Sequence, residues 1–254
     1  MADKLFSHSA LYLKYRPRYP EDLFSTLSRL APSTHVALDV GTGNGQAALS
    51  LAKYFDQVIA TDVNPKQIEQ ATPHERIEYK VVPAEEKILP ESSVDLIIVA
   101  EALHWFDFER FNESVRFMLK PGGIYAAWGY DLPVIDESVD RMIRFYCDQV
   151  VGKYWASGRH HIETHYENIP FPFTQIPASE LGGEFAMIGE WNLEDLLGYL
   201  DTWSATQLAL KDMKKHPLRD DQELLKLFHD AWGYPDEFKT YRYPLFIKVA
   251  RNYK

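Results

Sequence analysis

The sequence predicts an α/β fold built on a doubly wound, mostly parallel sheet, and three observations carry that prediction. Short apolar runs suited to buried strands alternate with amphipathic stretches suited to helices between residues 21 and 130. The first run, at 36–38, leads straight into a glycine-rich turn, "DVGTGNGQ" at 39–46. An acidic residue, Asp62, closes the second run, at the position where such sheets present a carboxylate to a nucleoside.

The elements follow in order. Residues 21–30 have helical apolar spacing behind Pro20, 36–40 read as a strand, and 44–54 as a helix with Ala47, Ala48, Leu51 and Ala52 inward. Strands are expected at 57–61, 77–82, 94–100 and 124–130, with a helix at 65–71 opened by Pro65 and an aromatic helical region running to Leu119. Pro121, Gly122 and Gly123 form the turn before the fifth strand. After Tyr130 the rhythm changes. A helix is expected at 136–150, irregular loop at 151–183, strands at 184–191 and 241–250, and helices near 192–212 and 220–232. A run of helices inserted between the last strands suits a lid.

Composition narrows the classes. The formal net charge of -10, with no clustered Lys/Arg stripe, argues against a nucleic-acid partner. One cysteine, Cys147, cannot form an intramolecular disulfide, which fits a reducing, cytoplasmic setting. The first residues lack a signal pattern, and the most apolar run, "VDLIIVA" at 94–100, is too short to span a bilayer. A soluble protein without a membrane partner is expected.

The turn at 39–46 could serve a dinucleotide or the amino-acid end of S-adenosylmethionine. A dinucleotide turn wants its third glycine at position 46, where this chain has Gln46 and places Gly45 one residue earlier. Asp39, two residues before Gly41, would repel a pyrophosphate but suits an ammonium group. No Lys-Ser/Thr pair follows, so a Walker-type phosphate loop is excluded. Asp62 can accept from ribose hydroxyls in either ligand.

"DVGTGNG" at 39–45 resembles motif I of the class I S-adenosylmethionine-dependent methyltransferases. "TDVN" at 61–64 resembles their ribose motif, "VPAE" at 82–85 with "LPESSVDLI" at 89–97 their adenine-side segment and fourth strand, and "KPGG" at 120–123 the turn before the fifth. "YLKYRPRYP" at 12–20, "AEALHWFD" at 100–107 and "LGYLDTWS" at 197–204 resemble the trans-aconitate methyltransferase-like group of small-molecule enzymes. The resemblance implies a single domain over 1–254 with a Rossmann-like, seven-stranded sheet and a reversed last strand. Strand six is then 184–191 and strand seven 241–250, the core spans about 30–130, 184–191 and 236–254, and the lid comes from 1–20, 131–183 and 192–235.

It also implies S-adenosyl-L-methionine as donor and S-adenosyl-L-homocysteine as product. Cofactor contacts are expected from Tyr15, Asp39, Gly41, Gly43, Asn44, Gly45, Asp62, Val63, Ala84, Glu85, Ala100, Glu101, Ala102 and Trp105. Ala100 and Ala102 are small enough for close approach, and Glu85 or its backbone can read an adenine amino group, against the alternative of a solvated acid. Tyr12, Tyr15, Arg16 and Tyr19 form an N-terminal cover in which tyrosine faces attract a sulfonium and Arg16 pairs with a carboxylate, or else they are core with a surface ion pair. His104 is a base candidate or a structural histidine behind the pocket, and Trp105 and Phe106 are alternatively core.

His160, His161 and His165 lack the companion ligands of a metal site, so none is expected. Tyr154, Trp155, Phe171, Phe173, Trp191, Tyr199 and Trp203 line an acceptor pocket or fill the lid's own core, and Arg159, Lys153, Lys211 and Arg242 are candidate helpers for an anionic acceptor. The reaction expected is O-methylation of a small carboxylic acid. Methylation at carbon or nitrogen, cofactor binding without catalysis, and a dehydrogenase are the alternatives.

Overall fold

The computed structural model describes residues 15–253; Tyr12 lies outside them. Two compact units are present among these residues: a sheet unit of 19–130, 160–186 and 244–253, and a helical unit of 15–18, 131–159 and 187–243.

In the sheet unit, β1 (Val36–Val40), β2 (Gln57–Asp62), β3 (Ile77–Val81), β4 (Val94–Ala100) and β5 (Leu119–Tyr130) are parallel in the order β3-β2-β1-β4-β5. Beyond β5 lies the antiparallel β8 (Lys239–Arg251), followed by a two-residue β6 (Thr174–Gln175). The strand alternation sorts residues to two faces. Ala37, Leu96, Ile98, Ala126 and Trp128 pack with Leu23, Phe24 and Leu27 of α1 (Glu21–Leu30) and with Ala47, Ala48 and Leu51 of α2 (Gln46–Leu51). Leu38, Ile97, Val99, Tyr125 and Ala127 pack with Phe111, Val115 and Met118 of α4 (Phe108–Met118). The short α3 (Pro65–Glu69) is capped by Asn64, whose side chain accepts the Lys66 N–H, with Pro65 in its first turn.

The turn at "KPGG" is a looped-out stretch inside one strand. Val94 pairs with Leu119 and Leu96 with Ile124, so two β4 steps face five on β5. Asp95, fully buried, closes the loop: its Oδ1 accepts from Lys120 Nζ at 2.8 Å and Ser33 Oγ at 2.7 Å, and its Oδ2 from the Val36 N–H at 2.9 Å. Burial pulls its carboxyl upward, but these bonds and the Lys120 charge outweigh that and hold it below the usual carboxylate range.

The helical unit contains α5 (Glu137–Phe145), continued by a π turn at Tyr146–Val150, then α7 (Leu193–Asp201), α8 (Ser204–Met213) and α9 (Gln222–Trp232). A capping box between Asn192 and Asp195 starts α7, and Asp136 and Asp221 cap α5 and α9. Trp191, Tyr199 and Trp203 are buried and meet one another, with ring centroids 5.0 Å and 5.8 Å apart across Tyr199. They are this unit's core.

Several expectations need correction. The sheet has eight strands: the sixth strand of the chain is β6, at the edge beyond β8, and Ala186–Trp191 is instead β7, which pairs with β8 off the main strand order. Residues 151–183 are not all loop: they hold α6 (Arg159–Glu163) and β6, and their second part packs with the sheet. Phe171 stacks on Tyr125 at 4.5 Å, so it and Phe173 belong to the sheet's core and not to a lid. Tyr19 likewise packs edge-on to Trp128 at 5.5 Å. Residues 187–191 and 236–243, expected in the core, group with the helices.

Removing Asp95 should leave Lys120, Ser33 and the Val36 N–H without their buried acceptor. Asp95→Ala is expected to lower the unfolding free energy by about 3 kcal/mol at pH 7 in chemical denaturation. A depressed folded pKa contributes stability above the unfolded carboxyl value, and that contribution is lost as pH falls through the folded one. The gap between variant and parent should therefore shrink below about pH 4.

Candidate active site at the first glycine turn

The turn after β1 is made by three residues with left-handed backbone: Gly41 (φ 73°), Gly43 (φ 57°) and Gly45 (φ 87°). Each is glycine for a different reason. A Cβ on Gly41 would lie 2.5 Å from Ala102 Cβ, and one on Gly45 would collide with the Tyr79 hydroxyl. At Gly43 the nearest atom, Gln67 Oε1, is 3.9 Å away, so its Cβ direction is open. Gly41 and Gly45 serve packing; Gly43 leaves room for a ligand against the backbone.

The turn is stitched to the end of β2. The Gly41 and Thr42 N–H groups both donate to Thr61 O at 2.8 Å. Asp62 Oδ2 accepts the Gly43 N–H at 2.9 Å and its Oδ1 accepts the Asn64 N–H at 2.8 Å. Burial raises the Asp62 carboxyl, and these two bonds oppose the rise. The remaining lone pairs of Asp62 are available to hydroxyl donors. Val63, beside it, is 59% exposed.

Asp39 is fully buried beneath the turn. Its Oδ2 accepts from Thr42 Oγ1 at 2.5 Å, while its Oδ1 has no hydrogen-bond partner. Burial pushes its carboxyl up to about 7; the Thr42 hydroxyl and, more weakly, the Ala48 N–H oppose this, and the Asp62 charge adds to it. A buried carboxylate oxygen lacking a donor fits an ammonium group. Asn44 is also buried, with Nδ2 unpartnered.

The segment after β4 comes next to the turn through Ala102. Glu101 has left-handed backbone (φ 55°), its N–H donates to Trp128 O at 2.9 Å, and its Oε1 accepts the Tyr130 N–H at 2.6 Å. Residues Leu103–Trp105 form one 3-10 turn. Trp105 is 51% exposed and is not core, whereas Phe106 packs on Phe111 at 4.9 Å. His104 Nδ1 lies 3.4 Å from the hydroxyl of the buried Tyr166. Ala84 is partly buried against the sheet's core, and Glu85 next to it, half-buried, accepts the Asp107 N–H at 3.0 Å.

The other candidates have partners of their own. Tyr15 and Arg16 belong to the helical unit. The Tyr15 ring covers Gly198, and Arg16 sits 5.1 Å over the Tyr199 ring with Nε donating to Thr202 Oγ1 at 3.0 Å. Arg159 lies over Trp155 at 3.9 Å and Lys153 beside Asp212 at 4.0 Å; Arg242 pairs through its backbone with Val134. His160 and His161 touch at 3.8 Å, but α6 ends at Glu163, so His165 does not share their helical face. No metal-ligand cluster occurs among the described residues. Thr42, Tyr79 and Tyr166 were not foreseen. Thr42 lies inside the quoted turn, while nothing in the sequence marks Tyr166.

Residues 38–127 match the family described as a methyltransferase domain. A Dictyostelium discoideum protein assigned as a methyltransferase is 33% identical over 98% of this chain and 95% of its own length. The chain is a class I S-adenosylmethionine-dependent methyltransferase. A solved structure described as a type II methyltransferase, from Anaeromyxobacter dehalogenans, superposes with TM-score 0.83 and 38% identity over 93% of this chain and 98% of that one. CRG1 of Saccharomyces cerevisiae, assigned as an S-adenosylmethionine-dependent methyltransferase, is 31% identical over 62% of this chain and 59% of its own. The donor of this methyltransferase is therefore S-adenosylmethionine, and the turn's open Gly43 and orphaned Asp39 oxygen fit its amino-acid end. No helix among the described residues is long and apolar enough to cross a membrane.

Gly43→Val should fill the open approach to the backbone. Its affinity for S-adenosylhomocysteine is expected to fall at least about a hundredfold in titration calorimetry, and unchanged affinity in a folded variant would remove this turn from the site. Asp39 titrates in the opposite sense to Asp95: its raised folded pKa costs stability as pH climbs from about 4 to about 7. Affinity for S-adenosylhomocysteine is expected to increase over about pH 5.5 to 7.5 as Asp39 loses its proton, and Asp39→Asn to flatten that rise.

Proposed function

We propose that this methyltransferase acts in the cytosol on a small molecule, transferring methyl to the oxygen of a small carboxylic acid. The observation that carries this reading is the state of the carboxylates at the strand ends. Asp62 accepts two backbone N–H groups, Glu85 accepts that of Asp107 and Glu101 that of Tyr130. Each is committed to holding backbone, and a side chain so engaged is poorly placed to remove a proton. A carboxylic acid is already ionised near neutral pH and needs no base, whereas a hydroxyl does.

The bound donor supplies an electrophilic methyl on a sulfonium whose charge disappears on transfer. The chain's residues do the rest by binding and orientation. Asp39 receives the ammonium, Asp62 accepts from the ribose hydroxyls, and Val63 offers an apolar surface to the base. The backbone of Gly43 lets the amino-acid end approach. Holding two reactants in register lowers a barrier by as much as about 7–11 kcal/mol in favourable cases, so little further chemistry is required of the protein.

The test is transfer of labelled methyl from S-adenosylmethionine to a panel of mono-, di- and tricarboxylic acids. A methyl ester releases its label as methanol in mild alkali. Alkali-stable label on any acceptor would instead mean an ether, amine or carbon product, and no turnover with any acceptor would mean a binding protein. In the same assay His104→Ala is expected to keep kcat within about tenfold of the parent, while a loss of about a thousandfold would mark His104 as a base.

A further inference from the structure

The pairing of β4 with β5 ends at Glu101. Ala100, the last residue of β4, is level with Trp128. One residue on, the Glu101 N–H still donates to Trp128 O at 2.9 Å, as the next rung of a parallel ladder does. A continuing ladder would then bring the Glu101 carbonyl to the Tyr130 N–H. The register stops one rung short of that. Glu101 turns into left-handed backbone (φ 55°), and the Tyr130 N–H donates to its side-chain Oε1 at 2.6 Å. The carboxylate thus stands in for a backbone carbonyl as the last acceptor of the strand.

The neighbours are shaped around this arrangement. Gly129 is not left-handed, yet a Cβ there would lie 2.7 Å from Glu101 Oε1 and would also strike the Phe246 ring, so glycine at 129 makes room for the carboxylate. On the other side, Ala102 leads into the 3-10 turn Leu103–Trp105. Its Cβ and the Phe106 ring fill the space that a side chain on Gly41 would take. Left-handed backbone is disfavoured for a residue with a Cβ and persists where the surroundings over-determine it. At Glu101 two bonds supply that constraint, one from its own N–H and one to its carboxylate. Both go to β5, which β8 pairs along its far edge.

We infer that Glu101 is a positioning residue for the methyl donor: its carboxylate, bonded to the Tyr130 N–H, holds the left-handed turn that sets Ala102 on Gly41, and through that contact keeps the glycine turn in its binding shape. The carboxylate acts through backbone and packing, and what it must supply is an acceptor oxygen, not a charge. The segment after β4 and the turn after β1 are thereby set together. The role toward the donor rests on the reading that the glycine turn receives the amino-acid end of S-adenosylmethionine; the clamp itself does not.

The deciding experiment compares Glu101→Gln, Glu101→Ala and Glu101→Gly in the full chain by titration calorimetry with S-adenosylhomocysteine. Gln keeps an oxygen for the Tyr130 N–H. Ala loses that oxygen and keeps the disfavoured Cβ, whereas Gly loses it but adopts left-handed backbone freely. Affinity is expected to fall about tenfold in Glu101→Ala and to stay within about threefold of the parent in Glu101→Gln and Glu101→Gly. A carboxylate that touched the donor would make the Gly and Gln variants as weak as the Ala variant. That pattern would overturn the inference, as would a Glu101→Ala protein of parental affinity. If Glu101→Ala does not fold, the Gly and Gln variants decide between the same two patterns. The route is read against Ala102→Gly, which removes the contact with Gly41: adding Glu101→Ala to it should cost less than about twofold more, and additive losses would overturn the route. In the ligand-free protein the Gly41 amide signal should move in Glu101→Ala and return towards its parental position in Glu101→Gly. A signal unmoved in Glu101→Ala would overturn the clamp. If Gly43→Val leaves affinity unchanged, the donor reading fails, and the Gly41 signal still decides whether Glu101 shapes the turn.

Discussion

The site depends on one short seam, where the end of β2 holds the first glycine turn. Thr61 O takes two N–H groups from the turn, and the Asp62 carboxylate takes a third, from Gly43, while its other oxygen holds Asn64. A backbone with three left-handed residues in five has little local reason to keep its shape. The seam supplies that reason, because three N–H groups of the turn find acceptors on the neighbouring strand. Asp62 therefore has two roles, holding the turn from one side and offering its remaining lone pairs on the other.

Above that seam the charges are arranged by burial. Asp39 and Asp95 are both sealed in the sheet, yet they behave oppositely. Asp95 has a lysine, a serine and a backbone N–H, and it stays ionised as a structural tie. Asp39 has one threonine and an empty-handed oxygen, and its proton affinity rises. The contrast is what distinguishes a carboxylate that completes the fold from one that awaits a ligand.

Most of the sheet unit was legible because its signals are local. The apolar runs, the glycines and Pro65 mark strands and helix starts within a few residues of where they lie, and β1 and β4 have the bounds expected. The turn's spacing, with Gly45 in place of a glycine at 46 and Asp39 ahead of Gly41, separates the two ligand classes. What was not legible depends on pairing across long sequence distances. Nothing near Thr174 announces that it pairs with Arg251, and a two-residue strand carries no periodicity. Tyr166 was hidden in a proline- and aromatic-rich stretch for the same reason, since its partners Lys248 and His104 are each more than sixty residues away. Of the two alternatives for Trp105, cofactor contact or core, its exposure removes the second, because a large apolar side chain on an exposed turn is not packed.

Three glycines share a feature that bears on how this chain diverges from its relatives. A Cβ on Gly45 would collide with Tyr79, one on Gly189 with Tyr241, and one on Gly198 with Tyr15. In each pair an aromatic ring occupies the volume a side chain would otherwise take. Evolution can therefore not enlarge one member without shrinking the other, so these positions should drift as couples, and a lineage that abandons the tyrosine loses the pressure to keep its glycine small wherever the backbone, as at Gly189 and Gly198, is not itself left-handed.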